Sequence, residues 1–235
     1  MTSYSQTLPQ AHREKRSRSH APFSLREQRQ HQRHEQFVSN VNFDEFTPPT
    51  KEQMRYASSL CVVAQNGLRI QFGELIRDRR TIVCFIRHFW CAADQDYMYH
   101  IACNVEMEAL RRADCDLIVI GVGSPAMIKS YRNIFRMPFE FFTDPTLRLH
   151  EALGMTRKTQ DAGPDIEKGE YIRHGPLGGL AMVVRNAIRV AMPVWEKGGD
   201  VTQLGGEFVF SPGPSCLHAH RMTTTRSHAS ILHSL

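Results

Sequence analysis

Cys91 is the residue of this sequence whose type and position are best suited to covalent chemistry. It follows an apolar run and the aromatic pair Phe89-Trp90, and a helical pattern begins at it. A cysteine attacks as the thiolate, and the unpaired N–H groups and positive dipole end at a helix N-terminus stabilise that form. Arg87 and His88 could add positive charge, although alternation along a strand predicts that they point in different directions.

Asp94 lies three residues after Cys91 and would oppose its ionisation. A carboxylate in the first turn of the helix satisfies the same N–H groups and places a negative charge near the sulfur. Because like charges disfavour ionisation, we expect a thiol that is reactive but not strongly activated. The sequence leaves open whether Cys91 is a functional thiol or an inert one kept at a helix start.

No second cysteine is placed to form a disulfide with Cys91. Cys103 would lie about 18 Å away along the same helix, beyond disulfide reach. Cys84 and Cys115 fall within apolar strands, where they fill core volume. Cys216 follows the turn of the last hairpin, which we expect to lie roughly 15 Å or more from Cys91. Regeneration of Cys91 would therefore need an external thiol such as glutathione or thioredoxin.

A soft metal site is the second chemistry that the pattern suggests. Cys216, His218 and His220 alternate along a predicted strand and would share one face. The simpler interpretation is a half-exposed edge strand, because a tetrahedral site needs a further ligand that the sequence does not supply. We expect no metal and no bound cofactor.

The elements that would position Cys91 alternate between strands and helices. Asn66-Gly67 between two short apolar runs predicts a hairpin, and continuous apolar runs at residues 81–87 and 115–123 predict buried strands. Ser124 and Pro125 mark the start of the next helix. A further strand and short helix, a helix over residues 177–191 and a closing hairpin follow. This order predicts an α/β fold, a central mixed sheet with helices on both faces and an N-terminal hairpin extension.

The composition divides the chain into three parts. Residues 1–46 form a basic, polar segment that we expect to be disordered, residues 47–224 the folded domain, and residues 225–235 a short helix or tail. Residues 1–40 supply most of the formal charge of +5, which argues against nucleic acid as a partner of the domain. The run REKRSR, residues 13–18, is compatible with a solvated tail, a nuclear address or polyanion binding.

The same features bear on localisation. No apolar run reaches the roughly 18 residues of a membrane span, and Glu14, Glu27 and Glu35 disfavour a mitochondrial presequence. Six cysteines without framework spacing fit a reducing compartment. We expect a cytoplasmic protein with no membrane partner and with nuclear entry open through the basic segment.

Two segments resemble a known family. FIRHFWCAADQDYM and QLGGEFVFSPGPSCLHAHRM are similar to the AhpC/TSA-type, peroxiredoxin-like 2 family of thioredoxin-like proteins, including its fungal members, over residues 47–230. The family usually reads FxRHFxCxxCQ, so Cys91 matches its presumed nucleophile and Asp94 replaces the second cysteine. The resemblance implies a thioredoxin-like fold.

The resemblance also assigns a second loop and shows one departure. Gly205 and Gly206 match the loop that holds a cis-proline beside the thiol in thioredoxins, where the lack of a Cβ would let a substrate approach closely. The peroxiredoxin signature PxxxTxxC is absent, since Cys84 and His88 occupy its proline and threonine positions.

Three functions are compatible with these observations. The first is a thiol oxidoreductase or peroxidase-like enzyme in which Cys91 attacks a small peroxide or disulfide and an external thiol reduces the product. The second is a catalytically degenerate binding module that uses the groove around Trp90 and Gly205-Gly206. The third is an accessory thiol protein of a biosynthetic pathway. The sequence leaves the oligomeric state open.

Overall fold

The computed structural model describes residues 24–231, and its centre is one seven-stranded sheet within that range. The strands are β1 (Cys61–Ala64), β2 (Arg69–Gln71), β3 (Arg80–Phe85), β4 (Cys115–Gly121), β5 (Glu140–Thr143), β6 (Gly206–Ser211) and β7 (Ser215–Arg221). The helices are α1 (Leu25–Val38), α2 (Lys51–Ser59), α3 (Phe72–Leu75), α4 (Ala92–Asn104), α5 (Met107–Arg112), α6 (Ile128–Phe135), α7 (Arg148–Ala152) and α8 (Pro176–Arg189). Two 3₁₀ turns lie at Pro125–Met127 and Asp165–Glu167.

The strand order is β2-β1-β5-β4-β3-β6-β7. The neighbours β5, β4 and β3 run parallel, and the remaining pairs are antiparallel. Successive residues of β3 alternate between two hydrophobic clusters, so that Ile82 and Cys84 pack on one side of the sheet and Val83 and Phe85 on the other. The predicted mixed sheet with helices on both faces, a thioredoxin-like arrangement, is confirmed.

Local signals account for most element boundaries. Gly67 in the β1–β2 turn has φ +83°, a conformation that glycine adopts without strain. Thr50 and Gln53 form a capping box at the start of α2. Ser124 caps the 3₁₀ turn that leads into α6, with Pro125 at its first position, as predicted.

The predicted disorder of residues 1–46 is wrong for residues 24–46, and residues 1–23 lie outside the described part. Helix α1 begins with a capping box in which Glu27 binds back to Ser24. Its buried His34 lies 2.8 Å from the Tyr56 hydroxyl and 2.6 Å from a carboxylate oxygen of Glu151. A few polar and aromatic contacts to the domain therefore offset the low apolar content on which the prediction rested.

The C-terminal segment also differs from the prediction of a short helix or tail after residue 224. Thr225, His228 and Ile231 are buried, and the backbone N–H of His228 donates to the Tyr171 hydroxyl at 3.0 Å. Residues 225–231 are thus part of the domain, because several of their side chains lie in its interior. Residues 232–235 lie outside the described part.

Helix α8 packs on the domain through one narrow side. Gly179 and Val183 are buried, whereas Leu180 and Val184 are exposed. The apolar residues of α8 therefore exceed what the domain covers. None of the helices within residues 24–231 is long and apolar enough to span a bilayer.

Candidate active site

Cys91 lies just beyond the carboxyl end of β3, where the chain turns into α4. The turn is held by the Phe89 N–H, which donates to the Gly198 carbonyl at 3.2 Å. Cys91 is the N-cap residue of α4, and its Sγ accepts the Asp94 N–H at 3.5 Å. The predicted start of a helix at Cys91 is confirmed.

Arg87 brings a positive charge to the sulfur. Its Nη1 lies 3.0 Å from Cys91 Sγ, and its Nη2 donates to the Val201 carbonyl at 2.7 Å. The Arg87 side chain is buried, so water screens this contact little. Arg87 and His88 both contribute to the wall of one cavity. Strand β3 ends at Phe85, so strand alternation does not apply to them.

Asp94 is fully buried, and its carboxylate is occupied by hydrogen bonds. Oδ2 accepts the backbone N–H groups of Arg87 at 2.8 Å and His88 at 3.2 Å, and Oδ1 lies 3.0 Å from His228 Nε2. Burial by itself would raise the pKa of Asp94, but the hydrogen bond from His228 and the charges of His228 and Arg87 lower it overall. Asp94 is therefore a carboxylate that ties the turn before α4 to the C-terminal segment.

His228 and Glu207 continue this arrangement and were missed by sequence reasoning. His228 Nδ1 lies 2.5 Å from Glu207 Oε1, and its ring stacks on Tyr97 with 4.1 Å between the ring centroids. Glu207 Oε2 lies 2.7 Å from His220 Nδ1. An acidic residue inside the apolar strand EFVF was the one available signal for Glu207, whereas nothing in the segment around His228 marks it.

The three residues Asp94, His228 and Glu207, hereafter the buried charge row, carry alternating charges. Burial would lower the pKa of His228, but the Glu207 and Asp94 carboxylates raise it to about 9. Burial would raise the pKa of Glu207, but His228 and His220 lower it to about 2. A protonated imidazole thus lies between two carboxylates, and both of its nitrogens donate.

The Cys91 thiol is less acidic than an exposed cysteine. Burial raises the pKa of Cys91 to about 12, with Asp94 acting in the same direction and Arg87 and the N–H groups of the helix start acting against both. Asp94 therefore raises the pKa of Cys91, as expected. Burial, which the sequence did not reveal, raises this pKa more. The thiol is protonated at neutral pH in the resting protein.

A cavity of about 360 Å³ opens in front of Cys91. Arg87, His88, Trp90 and His174 contribute to its wall. Within residues 24–231, Arg87 Nε and His88 Nδ1 are buried without a hydrogen-bond partner. Burial lowers the pKa of His88 to about 4, so its ring is neutral near pH 7. The cavity wall thus places the Arg87 guanidinium beside the thiol, together with a neutral His88 ring.

Gly205 and Gly206 have a different role from the one expected. A Cβ on Gly205 would collide with the Phe85 carbonyl, and one on Gly206 with the His220 carbonyl. Glycine is needed at both positions because the backbones of β3, β6 and β7 approach closely there. The prediction that these glycines leave room for a substrate is wrong, and neither lines the cavity.

The other five cysteines lie away from a pairing geometry. All six cysteines are free, with Cys84 and Cys115 buried in strands as predicted and Cys103 exposed. The turn between β6 and β7 binds to the carbonyls of Ile76 and Arg77 through Gly213, at the end of the sheet opposite Cys91. Cys216, next to that turn, is remote from Cys91, as predicted.

Cys216, His218 and His220 do not share the one face of β7 that their alternation in the sequence suggested. A β-bulge pairs Val209 with His218 but Phe210 with Cys216, so the spacing changes by one residue between them. Cys216 packs with the cluster that contains Phe210, while His218 lies on the side of Val209. Among the described residues no group of three or more His, Cys, Asp or Glu side chains could hold a metal ion.

Comparisons with known proteins show the family to which the chain belongs. The family model described as AhpC/TSA antioxidant enzyme matches residues 104–224, just over half of the chain, and begins after Cys91. The chain is 30% identical over 174 residues to peroxiredoxin-like 2C of Mus musculus and of Homo sapiens, covering 74% of this chain and 75% of each relative.

Solved structures show weaker similarity. Peroxidoxin BcpB from Mycobacterium tuberculosis has a TM-score of 0.42 at 11% identity, covering 77% of this chain and 86% of that one. A peroxiredoxin-like protein from Aquifex aeolicus has a TM-score of 0.43 at 12% identity, covering 82% of each chain. On the family match and the 30% identical relatives, this chain belongs to the AhpC/TSA antioxidant enzyme family, among its peroxiredoxin-like proteins.

Proposed function

We propose that the protein reduces small peroxides or disulfides with Cys91 as its single reacting thiol and an external thiol as its reductant. The observation that carries the proposal is the 3.0 Å contact between Arg87 Nη1 and Cys91 Sγ at the wall of a cavity. A buried guanidinium so close to sulfur stabilises the thiolate that the reaction must pass through. The family membership supports the same antioxidant-type chemistry.

The protonated resting thiol is compatible with this role. Arg87 and the N–H groups of the α4 start favour the sulfur anion when it forms, although burial and Asp94 keep it rare in the resting protein. The Arg87 guanidinium, which lies beside the sulfur at the cavity wall, can donate hydrogen bonds to the oxygens of a peroxide in the cavity. Such bonds strengthen as the leaving oxygen gains negative charge, so they favour the transition state over the bound substrate.

The reaction balances with two equivalents of external thiol. Cys91 sulfur attacks one peroxide oxygen, the O–O bond breaks, and the thiol proton ends on the alcohol that leaves. Cys91 is oxidised to the sulfenic acid. One external thiol condenses with it to form a mixed disulfide and water, and a second one releases the external disulfide and restores the Cys91 thiol.

The buried charge row explains why the reductant must come from outside. Asp94 takes the position of the second cysteine of the family motif, and three hydrogen bonds hold its carboxylate there. We assign Asp94, His228 and Glu207 as positioning residues, since they fix the backbone of Arg87 and His88 but do not line the cavity. The burial of Cys84 and Cys115 in strands and the position of Cys216 at the other end of the sheet support an external reductant.

The test is thiol-dependent peroxide consumption by the wild type and two cysteine variants. Cys91→Ser should abolish the activity with glutathione or thioredoxin as reductant, and Cys216→Ser should retain it, because Cys216 lies at the other end of the sheet. Equal activity of the wild type and Cys91→Ser would contradict the proposal. Circular dichroism of each variant shows whether it is folded.

A binding module without catalysis is the second candidate, and the raised pKa of the buried Cys91 favours it. Cys103, exposed near the end of α4, is an internal reference thiol in the same chain. If the protein is an enzyme, hydrogen peroxide should oxidise Cys91 faster than Cys103 in spite of the burial of Cys91. The binding module predicts the reverse, and mass spectrometry of peptides after brief peroxide treatment distinguishes the two.

The proposed chemistry also favours a location. A protein that depends on small external thiols fits the cytoplasm, where such reductants keep cysteines reduced. Six cysteines without a disulfide support this assignment. The run at residues 13–18, outside the described part, would allow nuclear entry.

A further inference from the structure

Helix α8 exposes an apolar side to solvent. Four large apolar residues of this helix are half or more exposed, namely Leu177 at 85%, Leu180 at 62%, Val184 at 50% and Ile188 at 77%. Their spacings of three, four and four residues place them on one side of a helix with 3.6 residues per turn. We call these four residues the α8 stripe. The side that contains Gly179 and Val183 packs on the domain.

Such a surface is unusual for a helix of this kind. A surface helix normally turns its apolar side to the core, and a contiguous exposed apolar patch marks a binding surface. Here both sides of α8 are apolar, and the domain covers one of them. The α8 stripe therefore needs an explanation other than packing.

The charges around the α8 stripe are positive. Arg185 and Arg189 lie on α8 beside the stripe, and residues 171–195 contain no aspartate or glutamate. The helices that pack against α8 are α4 and α6. The acids of α4, Asp94 and Asp96, are buried, and α6 contains no acid and exposes Lys129. The surface thus combines an apolar centre with basic flanks.

We propose that the α8 stripe docks this protein on an anionic lipid surface. The apolar side chains would enter the boundary between headgroups and acyl chains, and Arg185 would pair with anionic headgroups. Arg189, whose Nη2 donates to the Ile134 carbonyl at 2.8 Å, would add positive charge beside them. This is peripheral contact and needs no spanning segment. It therefore departs from the expectation of no membrane partner, which rested on the lack of a long apolar run.

A second copy of the chain is a poorer occupant. A two-fold contact places the same patch against itself, so Arg185 and Arg189 of one copy would face those of the other. No exposed acid on α4, α6 or α8 is available to pair with them. An acidic protein would need a groove that matches a protruding helix, whereas a lipid surface adapts to it.

The position of α8 connects this surface to the cavity. His174, Gly175 and Pro176 line the Cys91 cavity and lead directly into the helix. Docking through the α8 stripe would hold the cavity mouth close to the lipid surface. The docking itself does not depend on the proposed reaction, so either proposal can fail without the other.

The test is co-sedimentation of the full chain with lipid vesicles. We expect binding to phosphatidylcholine vesicles that contain about one third phosphatidylserine, weaker binding at higher salt, and little binding to phosphatidylcholine alone. Ile188→Glu should lower the affinity about tenfold or more. Ile166→Glu is the matched control, because Ile166 is 93% exposed but lies outside α8. Thermal unfolding shows that both variants fold.

Each other outcome overturns the proposal. If the basic run at residues 13–18 held the vesicles, Ile188→Glu would bind as well as the wild type. Equal losses in Ile166→Glu and Ile188→Glu would show a nonspecific effect of charge. Absence of binding to anionic vesicles, or a concentration-dependent dimer that Ile188→Glu dissociates, would assign the surface to another occupant or to none.

Discussion

Two buried aspartates of this protein use the same hydrogen-bonding arrangement for different ends. Asp94 Oδ2 accepts two consecutive backbone N–H groups, and its other oxygen meets His228. Asp144 Oδ2 accepts the N–H groups of Leu149 at 2.9 Å and His150 at 3.1 Å, and lies 2.9 Å from His150 Nδ1. Each carboxylate thus holds a turn at the start of a helix and is paired with one imidazole.

The difference lies in the second nitrogen of each imidazole. Within the described part of the chain, His150 Nε2 is buried without a partner, and its ring packs edge-on against Phe85 at 5.0 Å between centroids. The second nitrogen of His228 instead meets Glu207. Because of this second carboxylate, the interaction of His228 is not local: it links chain segments that are far apart in sequence. The buried charge row lies beside Cys91, whereas Asp144 and His150 stabilise the turn at the start of α7.

The largest expected effect is on stability. His228→Ala removes the cation between two buried carboxylates and should cost about 3–5 kcal/mol of unfolding free energy. His150→Ala removes the same ring atoms from one carboxylate that keeps two backbone donors, and should cost about 1–3 kcal/mol. Urea denaturation of the two variants measures the difference. Equal losses would show that the second carboxylate, Glu207, adds nothing to the stabilising effect of the imidazole.

The second effect is a pH dependence of stability. The pKa of His228 is raised to about 9 in the folded protein, against about 6.5 when unfolded. Its contribution is therefore complete below about pH 6.5 and is lost as the pH rises through about 9, at roughly 1 kcal/mol per pH unit. The contribution of Glu207 to stability depends on pH in the opposite direction. Because its pKa is lowered in the folded protein, this contribution is lost as the pH falls through about 2.

Denaturation between pH 6.5 and 8 tests this expectation. The range ends below about 8.5, where cysteines of the unfolded chain begin to ionise. Above it, the buried cysteines, whose pKa values are raised in the folded protein, would add a decline of their own. His150→Ala should keep the decline in stability with rising pH, and His228→Ala should lose it. A decline that persists in His228→Ala would assign the titration to another group.

Sequence reasoning predicted the parts of the site that depend on local pattern. The helix start at Cys91, the strand before it and the opposing effect of Asp94 follow from periodicity, capping and charge over a few residues. The exposed side of α8 could not be predicted, because an apolar helical pattern does not state how much of it the domain covers.

The partners of Asp94 illustrate what the sequence does not contain. His228 meets Asp94 across 134 positions and Glu207 across 21, and no local pattern encodes such contacts. The bulge that moves Cys216 away from His218 likewise depends on how β7 pairs with β6. Helix α1 is stable through the contacts of His34 with Tyr56 and Glu151, which composition alone does not reveal.

The smallest expected effect is on the pKa of the Cys91 thiol, which Asp94 should change and Asp144 should not. Asp94→Asn keeps an oxygen for the backbone N–H groups but removes the negative charge that raises the pKa of Cys91. The pKa of Cys91 should fall by about one unit, so alkylation of Cys91 at pH 8 should be about tenfold faster. Asp144→Asn should leave this rate unchanged, since no contact joins Asp144 to the thiol. A rate that stays constant in Asp94→Asn would mean that burial alone sets the acidity of Cys91 and that the charge row serves stability only.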